Sequence, residues 1–284
     1  MRHKHGVELI RQMDALHVPA GAFALWWLGQ MGVAVKGPDQ QVVYIDPFLV
    51  GPLAADQTDP SFLWGRAFPP PLTPHDVTNA SLVLCSHEHG DHTSAETLAG
   101  IAAASPRARI AATGWSQGIL DEAGIPSERR LSMSTGVQHD VGVLQLSYIP
   151  AAHYSREMDS VRGERWLSML LDWGSVALFH GGDTILYDGY LDAIRTLPTA
   201  DVGILACNGS DAMRNARDIA GNMSPAEAAY VADQVAWKTL IAGHNDLFAS
   251  NRLPATEVAS QIERVAPALA VHTFKPGELF FFQR

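Results

Sequence analysis

The sequence predicts a protein of the α/β (α+β) class. Short apolar runs of strand length, such as Ala80–Cys85, alternate with segments in which apolar residues recur at helical spacing, such as residues 6–16. A capping box with proline at the first helical position marks another helix at residues 224–236. Strands that alternate with helices in this way are typical of layered α/β folds.

In the first half of the chain, the patterns predict helices at residues 6–16, 93–104 and 116–122 and strands at residues 23–29, 33–36, 41–47, 80–85 and 108–112. We attribute the start of the second helix to a capping box formed by Thr93 and Glu96. Residues 51–78 contain six prolines and no sustained period. We expect a loop there beside a cleft, with Phe62, Trp64 and Phe68 as candidate wall residues.

In the second half, apolar runs predict strands at residues 137–140, 142–149, 166–171, 176–179, 201–206, 239–242 and 274–281. The predicted helix at residues 224–236 lies between the strands at residues 201–206 and 239–242. Cys85 and Cys207, the only two cysteines, each belong to an apolar run. We therefore interpret both as core residues and expect no disulfide.

The densest cluster of metal-ligand side chains is in residues 86–93, where His87, His89, Asp91 and His92 follow a buried strand. Removing these polar and charged groups from water costs free energy, so we do not expect a fold to gather them without a compensating cation. His87 and His89 share one face of an extended turn, whereas Asp91 and His92 lie where the chain begins to coil. The spacing therefore predicts two adjacent cation positions. A solvated histidine-rich loop is the alternative.

Three further candidate ligands, His153, Asp183 and His244, follow the ends of predicted strands. Strand ends along one sheet edge converge in space, which favours a common site. A lone histidine at a strand end is more often structural, but a third imidazole is needed here, which favours His153 as a ligand. We interpret His180 as a core histidine. Asp46 either orients a ligand histidine or begins an Asp-Pro turn.

Composition limits the partners. The chain has 284 residues, 47% of them hydrophobic, which suffices for one large domain at residues 1–284. Its 20 basic and 30 acidic residues give a formal charge of −10, which argues against nucleic acid or an anionic membrane as a partner. No apolar stretch is long enough to span a bilayer, and no h-region follows the amino terminus. We expect a cytoplasmic protein, as a monomer or a homo-oligomer.

The order His87-x-His89-x-Asp91-His92 after an apolar strand resembles the signature of the metallo-β-lactamase superfamily. This resemblance implies a four-layered αββα sandwich, the metallo-β-lactamase fold, with a two-metal site at one edge. Residues 18–29, which place two tryptophans before a glycine, resemble the L-ascorbate-6-phosphate lactonase (UlaG-like) family within that superfamily. The resemblance implies that these residues bind metal: His87, His89, Asp91, His92, Asp183 and His244.

We expect His87, His89 and His153 to hold one divalent ion. Asp91, His92 and His244 would hold the other, with Asp183 shared. A water activated by the two ions would attack the carbonyl of a lactone or other ester. Asp91 and His92 are the candidate catalytic residues, with Asp91 passing a proton to the leaving oxygen. Imidazole and carboxylate ligands admit zinc, manganese or iron, and the resemblance favours manganese.

The expected substrate is a small anionic molecule, with a phosphorylated sugar lactone as one candidate. Arg217 could anchor its anionic group, although a surface salt bridge explains this arginine equally well. Asn245, next to a predicted ligand, is the second candidate substrate-binding residue. A metal-dependent phosphodiesterase is the alternative function. A binding or regulatory module without turnover is a third interpretation, which the complete set of ligands argues against.

Overall fold

The structure is a computed structural model that describes residues 3–54, 64–217 and 219–284. Its strands are β1 (Ala22–Gly29), β2 (Gly32–Lys36), β3 (Val42–Ile45), β4 (Ala80–Cys85), β5 (Arg109–Ala112), β6 (Arg130–Ser132), β7 (Gln138–Val141), β8 (Leu144–Pro150), β9 (Met158–Asp159), β10 (Gly163–Glu164), β11 (Leu167–Asp172), β12 (Ala177–His180), β13 (Val202–Ala206), β14 (Thr239–Gly243), β15 (Ala270–His272) and β16 (Leu279–Gln283). Its α-helices are α1 (Gly6–Ala15), α2 (Ala95–Ala104), α3 (Gln117–Glu122), α4 (Tyr190–Arg195), α5 (Ala212–Asn215), α6 (Pro225–Gln234) and α7 (Ala255–Val265).

Two seven-stranded sheets form the centre of the molecule. The first has the order β16-β1-β2-β3-β4-β5-β6, antiparallel from β16 to β3 and parallel from β3 to β6. The second has the order β15-β14-β13-β12-β11-β8-β7, antiparallel from β7 to β12 and parallel from β12 to β15. Strands β9 and β10 form a separate hairpin. Each large sheet is thus half antiparallel and half parallel.

The side-chain alternation of the strands produces the layers. In β1, Phe23, Leu25 and Trp27 face the second sheet and help form the core between the sheets. The intervening Ala24 and Trp26 face outward and pack with the apolar residues of α1, α2 and α3. The outer face of the second sheet is covered in the same way by α4, α6 and α7. The order of layers is helix, sheet, sheet, helix, so the predicted αββα sandwich is confirmed.

Most predicted elements agree with the structure within two residues, but the start of α2 was predicted wrongly. Its N-cap is Ser94, whose Oγ accepts a hydrogen bond from the backbone N–H of Thr97. The hydroxyl of Thr93 instead donates to the carbonyl of His87 and ties the histidine-rich loop to itself. The last strand begins at Leu279, five residues later than residue 274 where it was predicted. No helix among the described residues is long and apolar enough to cross a membrane.

Candidate metal centre

The predicted ligands lie at one edge of the sandwich, where strands of both sheets end. The loop after β4 carries His87, His89, Asp91 and His92, and the remaining ligands follow β8, β12 and β14 of the second sheet. Strands β4, β12 and β14 belong to the parallel halves of their sheets, so their carboxyl ends point the same way within each sheet. The structure thereby brings all seven predicted ligands together.

Their ligand atoms form three overlapping groups in which every pair of atoms is within 4.8 Å. The groups are His87, His89 and His153; His87, His92 and Asp183; and Asp91, His92 and His244. The first and third groups match the two sets that the sequence predicted. The middle group shares His87 with the first and His92 with the third, and it adds Asp183.

Asp183 is buried between the two sets of histidines. Its Oδ2 lies 2.9 Å from His244 Nε2 and 3.4 Å from His153 Nε2, and its Oδ1 lies 3.4 Å from His92 Nε2. The backbone before it is compact, because a Cβ on Gly182 would lie 2.8 Å from the carbonyl oxygen of Leu167. A single carboxylate thus faces ligands of both predicted cation positions, so Asp183 would contribute negative charge to both.

The pairing of the imidazole nitrogens fits a bound cation. Nδ1 of His92 donates to Asp46 at 2.8 Å, and Nδ1 of His87 lies 3.0 Å from the Ser86 hydroxyl. Their Nε2 atoms are buried and have no hydrogen-bond partner. Leaving such atoms unpaired is costly, whereas a metal ligand needs a free nitrogen on one side of the ring and a hydrogen bond on the other. The residues therefore fit divalent metal ions.

Burial and neighbouring charges shift the titration of the cluster in opposite directions. Burial, together with His92 and His89, holds the pKa of His87 well below its ordinary value. Burial also lowers the pKa of His153, to about 4. For His244, the carboxylates of Asp183 and Asp91 outweigh burial and raise the pKa to about 9. Neutral imidazoles, the form that binds metal, are thus favoured on the side of His87 and His153.

The hydrogen bonds of Asp46 support the expectation that this residue orients a ligand histidine. Its carboxylate is fully buried and accepts hydrogen bonds from His92 Nδ1, from the Ser86 backbone N–H at 2.7 Å and from the Ser86 hydroxyl at 2.6 Å. Asp46 therefore fixes both the ring of His92 and the start of the loop that carries it.

Gln30 is a residue of the site that the sequence did not predict. It is fully buried, its Nε2 donates to Asp91 Oδ2 at 2.8 Å, and the same atom is 3.0 Å from His244 Nε2. The backbone N–H of Gln30 donates to the carboxylate of Asp246, and the backbone carbonyl of Gln30 accepts from the N–H of His244 at 2.6 Å. The sequence signal was only a tight turn between β1 and β2.

Backbone strain also marks this site. Among the described residues, five that are not glycine have positive φ, and three of them are Gln30 (62°), Asp46 (45°) and His244 (61°). Such conformations are unfavourable for residues with a Cβ and persist where the surrounding structure fixes them. The fold thus holds these three positions in place against local preference.

Two polar residues near the ligands have structural roles. His180 donates from Nε2 to the carbonyl of Met31 at 3.0 Å and accepts from the N–H of Gly182, as a satisfied core histidine does. Glu88, within the histidine-rich loop, pairs with Arg165 at 2.5 Å. The guanidinium of Arg165 lies over the ring of Trp166 and so anchors the outside of the loop.

A cavity of about 440 Å³ opens over the ligand groups. His89, Asp91, His153, Asp183 and His244 form its floor, and Trp64, predicted as a wall residue, lines it. Phe68 lines a different cavity, and Phe62 lies outside the described residues. The cavity walls also include Asn251, and Phe48 and Phe248, two aromatic residues that the sequence patterns did not single out.

The two predicted substrate-binding residues lie elsewhere. Asn245 lines the cavity that contains Phe68, and its amide donates to the carbonyl of Leu253 at 3.2 Å. Arg217 is exposed and is not among the described residues that line the cavity over the ligand groups. Their roles in substrate binding therefore stay predictions.

Comparison with known proteins agrees with this geometry. Residues 41–245 match the family model described as the Beta-lactamase superfamily domain. A UPF0173 metal-dependent hydrolase of Caldivirga maquilingensis is 21% identical over 255 residues, which cover 90% of this chain and 96% of the relative.

Two solved structures share the fold. A metallo hydrolase from the hyperthermophilic archaeon Ignicoccus hospitalis has a TM-score of 0.68 and 19% identity, covering 93% of this chain and 99% of that one. An isothiocyanate hydrolase from Delia radicum gut bacteria has a TM-score of 0.69 and 14% identity, covering 92% of this chain and all of that one.

The fold and the ligand groups define a metal-dependent hydrolase. The chain belongs to the metallo-β-lactamase superfamily, as its match over residues 41–245 shows. The narrower resemblance to L-ascorbate-6-phosphate lactonases stays a prediction.

Proposed function

We propose that this hydrolase opens a lactone or a similar carboxylic ester with the help of two divalent metal ions. The observation that carries the proposal is the position of the ligand groups on the floor of one cavity. A small molecule that enters this cavity can therefore bring its reacting bond against these groups, and proximity of this kind supplies a large part of enzymatic rate enhancement.

His87, His89 and His153 would hold one ion and Asp91, His92 and His244 the other, with Asp183 between them. Bound manganese or zinc, or iron, supplies Lewis acidity and makes water more acidic. The protein holds the ligands in place before binding, because Asp46 fixes His92 and Gln30 contacts Asp91 and His244.

Asp91 is the better placed of the two candidate catalytic residues. Its carboxylate lines the cavity, and the Gln30 amide fixes one of its oxygens by donating to Oδ2. From this position Asp91 can hold a proton and pass it to the leaving oxygen. His92 is fully buried and hydrogen-bonded to Asp46, which favours a role in holding a metal ion over contact with the substrate.

A carbonyl ester is favoured over a phosphodiester by the charges around the cavity. Phosphoryl transfer develops charge on several phosphoryl oxygens, and proteins commonly place arginine or lysine against it in addition to metal ions. The described residues that line this cavity include neither. We accordingly propose a small-molecule substrate, and we propose that the protein acts in the cytoplasm without a nucleic-acid or membrane partner.

The first measurement is the metal content per chain of protein purified without added metal. Hydrolysis of γ-butyrolactone and of bis-p-nitrophenyl phosphate is then followed with manganese or zinc restored. About two ions per chain and metal-dependent opening of the lactone alone are expected. Metal-dependent cleavage of the phosphodiester alone would replace the proposal with the phosphodiesterase alternative. A protein that binds no metal and cleaves neither compound would leave the fold without the proposed reaction.

A further inference from the structure

The wall of the cavity above the ligand groups is aromatic. The ring centroids of Phe48 and Phe248 are 6.1 Å apart, and the ring of Trp64 meets that of Phe248 edge-on at 5.5 Å. Ile219 and the half-exposed Tyr154 also line the cavity. Apart from the ligand groups on the floor, the described lining is thus dominated by apolar surface.

Cations are missing from this wall among the described residues. The guanidinium of Arg66 is 5.0 Å from the ring centroid of Phe48, but Arg66 is not among the described residues that line the cavity. It is buried, and it donates to the carbonyls of Phe48, Val50 and Phe68. In the sequence of the segments that the structure does not describe, only Arg2 is basic.

The polar group next to the ligands is also uncharged. Asn251 is buried and lines the cavity, its Nδ2 lies 3.4 Å from His244 Nδ1, and its Oδ1 has no hydrogen-bond partner. A neutral amide suits a neutral polar group of a ligand. A carboxylate or phosphate against the aromatic wall, away from the metal ions proposed on the floor, would instead lose its hydration with no basic side chain of the described lining to replace it.

We infer that the substrate is an uncharged lactone or ester. It has a branched-alkyl or aryl substituent close to the reacting carbonyl, and this substituent packs against Phe48, Trp64 and Phe248. This inference rests on the proposed function and specifies its substrate class. It differs from the anionic substrate expected from the sequence, because Arg217 does not line the cavity.

The test compares γ-lactones that differ in one substituent. γ-Butyrolactone carries none, a second compound carries a 3-methylbutyl group, and a third carries a 2-carboxyethyl group, which has nearly the same shape but is an anion. The metal-loaded protein is expected to give a kcat/KM for the 3-methylbutyl lactone at least about tenfold above that for the carboxyethyl lactone. The 3-substituted cyclopentanones with the same two groups, which cannot be hydrolysed, should show the same order as competitive inhibitors.

Two variants assign the preference to the wall. Trp64→Ala should lower the ratio of kcat/KM for the 3-methylbutyl lactone to that for γ-butyrolactone about threefold or more. Tyr230→Ala removes an exposed aromatic side chain on α6 and is the matched control, with an unchanged ratio. Ile219→Arg places a cation on the wall and should shift the preference toward the carboxyethyl lactone. Ile219 is buried, so an arginine there can prevent folding. If Ile219→Arg does not fold, Trp64→Ala decides the test.

The outcomes separate the inference from the proposed function. If all three lactones are opened but the carboxyethyl compound is preferred, the inference is wrong and lactone hydrolysis stands. Loss of that preference in Arg217→Ala would then assign anion recognition to Arg217. If the metal-loaded protein opens no lactone but cleaves another carboxylic ester that the cyclopentanones do not inhibit, the inference is wrong and ester hydrolysis stands. If it cleaves neither a lactone nor any other carboxylic ester, both proposals fail.

Discussion

The two sheets contribute to the metal centre in different ways. The first sheet supplies four candidate ligands from the single loop that follows β4, namely His87, His89, Asp91 and His92. The second sheet supplies three candidate ligands from three separate strand ends, His153, Asp183 and His244, which are spread over more than ninety positions of the sequence. One half of the site is therefore local in sequence, and the other half is assembled by the fold.

The difference shows which forces fix each half. The local half is tied by short-range contacts, such as the Thr93 hydroxyl bonded to the His87 carbonyl, and by Asp46 from the neighbouring strand. The distributed half depends on the register of β12, β13 and β14, whose parallel pairing places Asp183 and His244 at one edge. If both halves hold metal equally, removing a ligand from either should have the same consequence.

The largest effect is expected at the carboxylate that joins the halves. Asp183→Asn keeps the shape of the side chain but removes the charge that faces both sets of histidines. We expect kcat/KM to fall by about three orders of magnitude, with lower metal content by elemental analysis. Asp201→Asn is the matched control, because Asp201 is an equally buried carboxylate of the second sheet outside the ligand groups. Normal metal content and activity in Asp183→Asn would contradict the bridging role.

The second prediction compares the two halves directly. His89→Ala and His153→Ala remove one ligand each from the same group, the first from the local loop and the second from a strand end of the other sheet. Each should reduce the metal content from about two ions per chain to about one and abolish most hydrolysis while circular dichroism stays unchanged. His139→Ala, a partly buried histidine outside the site, is the control. Loss of metal in only one variant would show that the halves bind unequally.

The third prediction concerns the contact between the halves at Gln30. Gln30→Met keeps the volume of the side chain and removes the amide that contacts Asp91 and His244. Metal affinity, measured by competition with a chelator, should fall about ten- to a hundredfold. Gln40→Met is a close control, since Gln40 also has positive φ (63°) and its amide bonds to backbone carbonyls away from the site. Equal metal affinity in the two variants would remove Gln30 from the centre.

The smallest expected effect lies at the opposite edge of the sheets. Arg284, which follows β16 of the first sheet, donates to both oxygens of Asp201, which precedes β13 of the second, at 2.8 and 2.9 Å. Burial alone would raise the pKa of Asp201, but Arg284, the Ala177 N–H and Lys238 together lower it. Asp201→Asn should reduce the free energy of unfolding by about 1 kcal/mol at pH 7 and leave metal content unchanged.

The sign of the pH dependence follows from that lowered pKa. A carboxylate whose pKa is lower in the folded state stabilises the protein at pH values above its pKa in the unfolded state, about 3.9. This stabilisation is lost as the pH falls toward the pKa of the folded state. The difference between wild type and Asp201→Asn in urea unfolding should therefore narrow below about pH 4. A difference that stays constant from pH 7 to pH 3.5 would show that the loss comes from packing instead of charge.

The local half of the site was predictable because spacing alone restricts where its side chains can lie. His87 and His89 are two apart after a buried strand, and a turn leaves few other arrangements. The distributed half was predicted through a weaker rule, that strand ends meet at one edge, and the structure brings those ligands to the same place. Neither argument could find Gln30, Phe48 or Phe248, because their contacts with the site come from residues remote in sequence.

Local pattern was also misleading where two polar residues compete for one role. Thr93 and Glu96 have the spacing of a capping box, yet Ser94 caps α2 because the Thr93 hydroxyl bonds to the His87 carbonyl. Arg217, whose charge suggested an anion site, is exposed, and its role in substrate binding stays a prediction.

By itself, the sequence determined the fold class and most of its strands and helices, and it singled out the candidate metal ligands. These follow from hydrophobic periodicity and from the chemistry of imidazole and carboxylate groups, which act over a few residues. Only the tertiary structure decided how the two halves meet, which residues fix the ligands, and that the cavity above them is aromatic and lacks cations among its described residues. Such properties depend on contacts between segments far apart in the chain, and the strand register that creates those contacts is not encoded in any single segment.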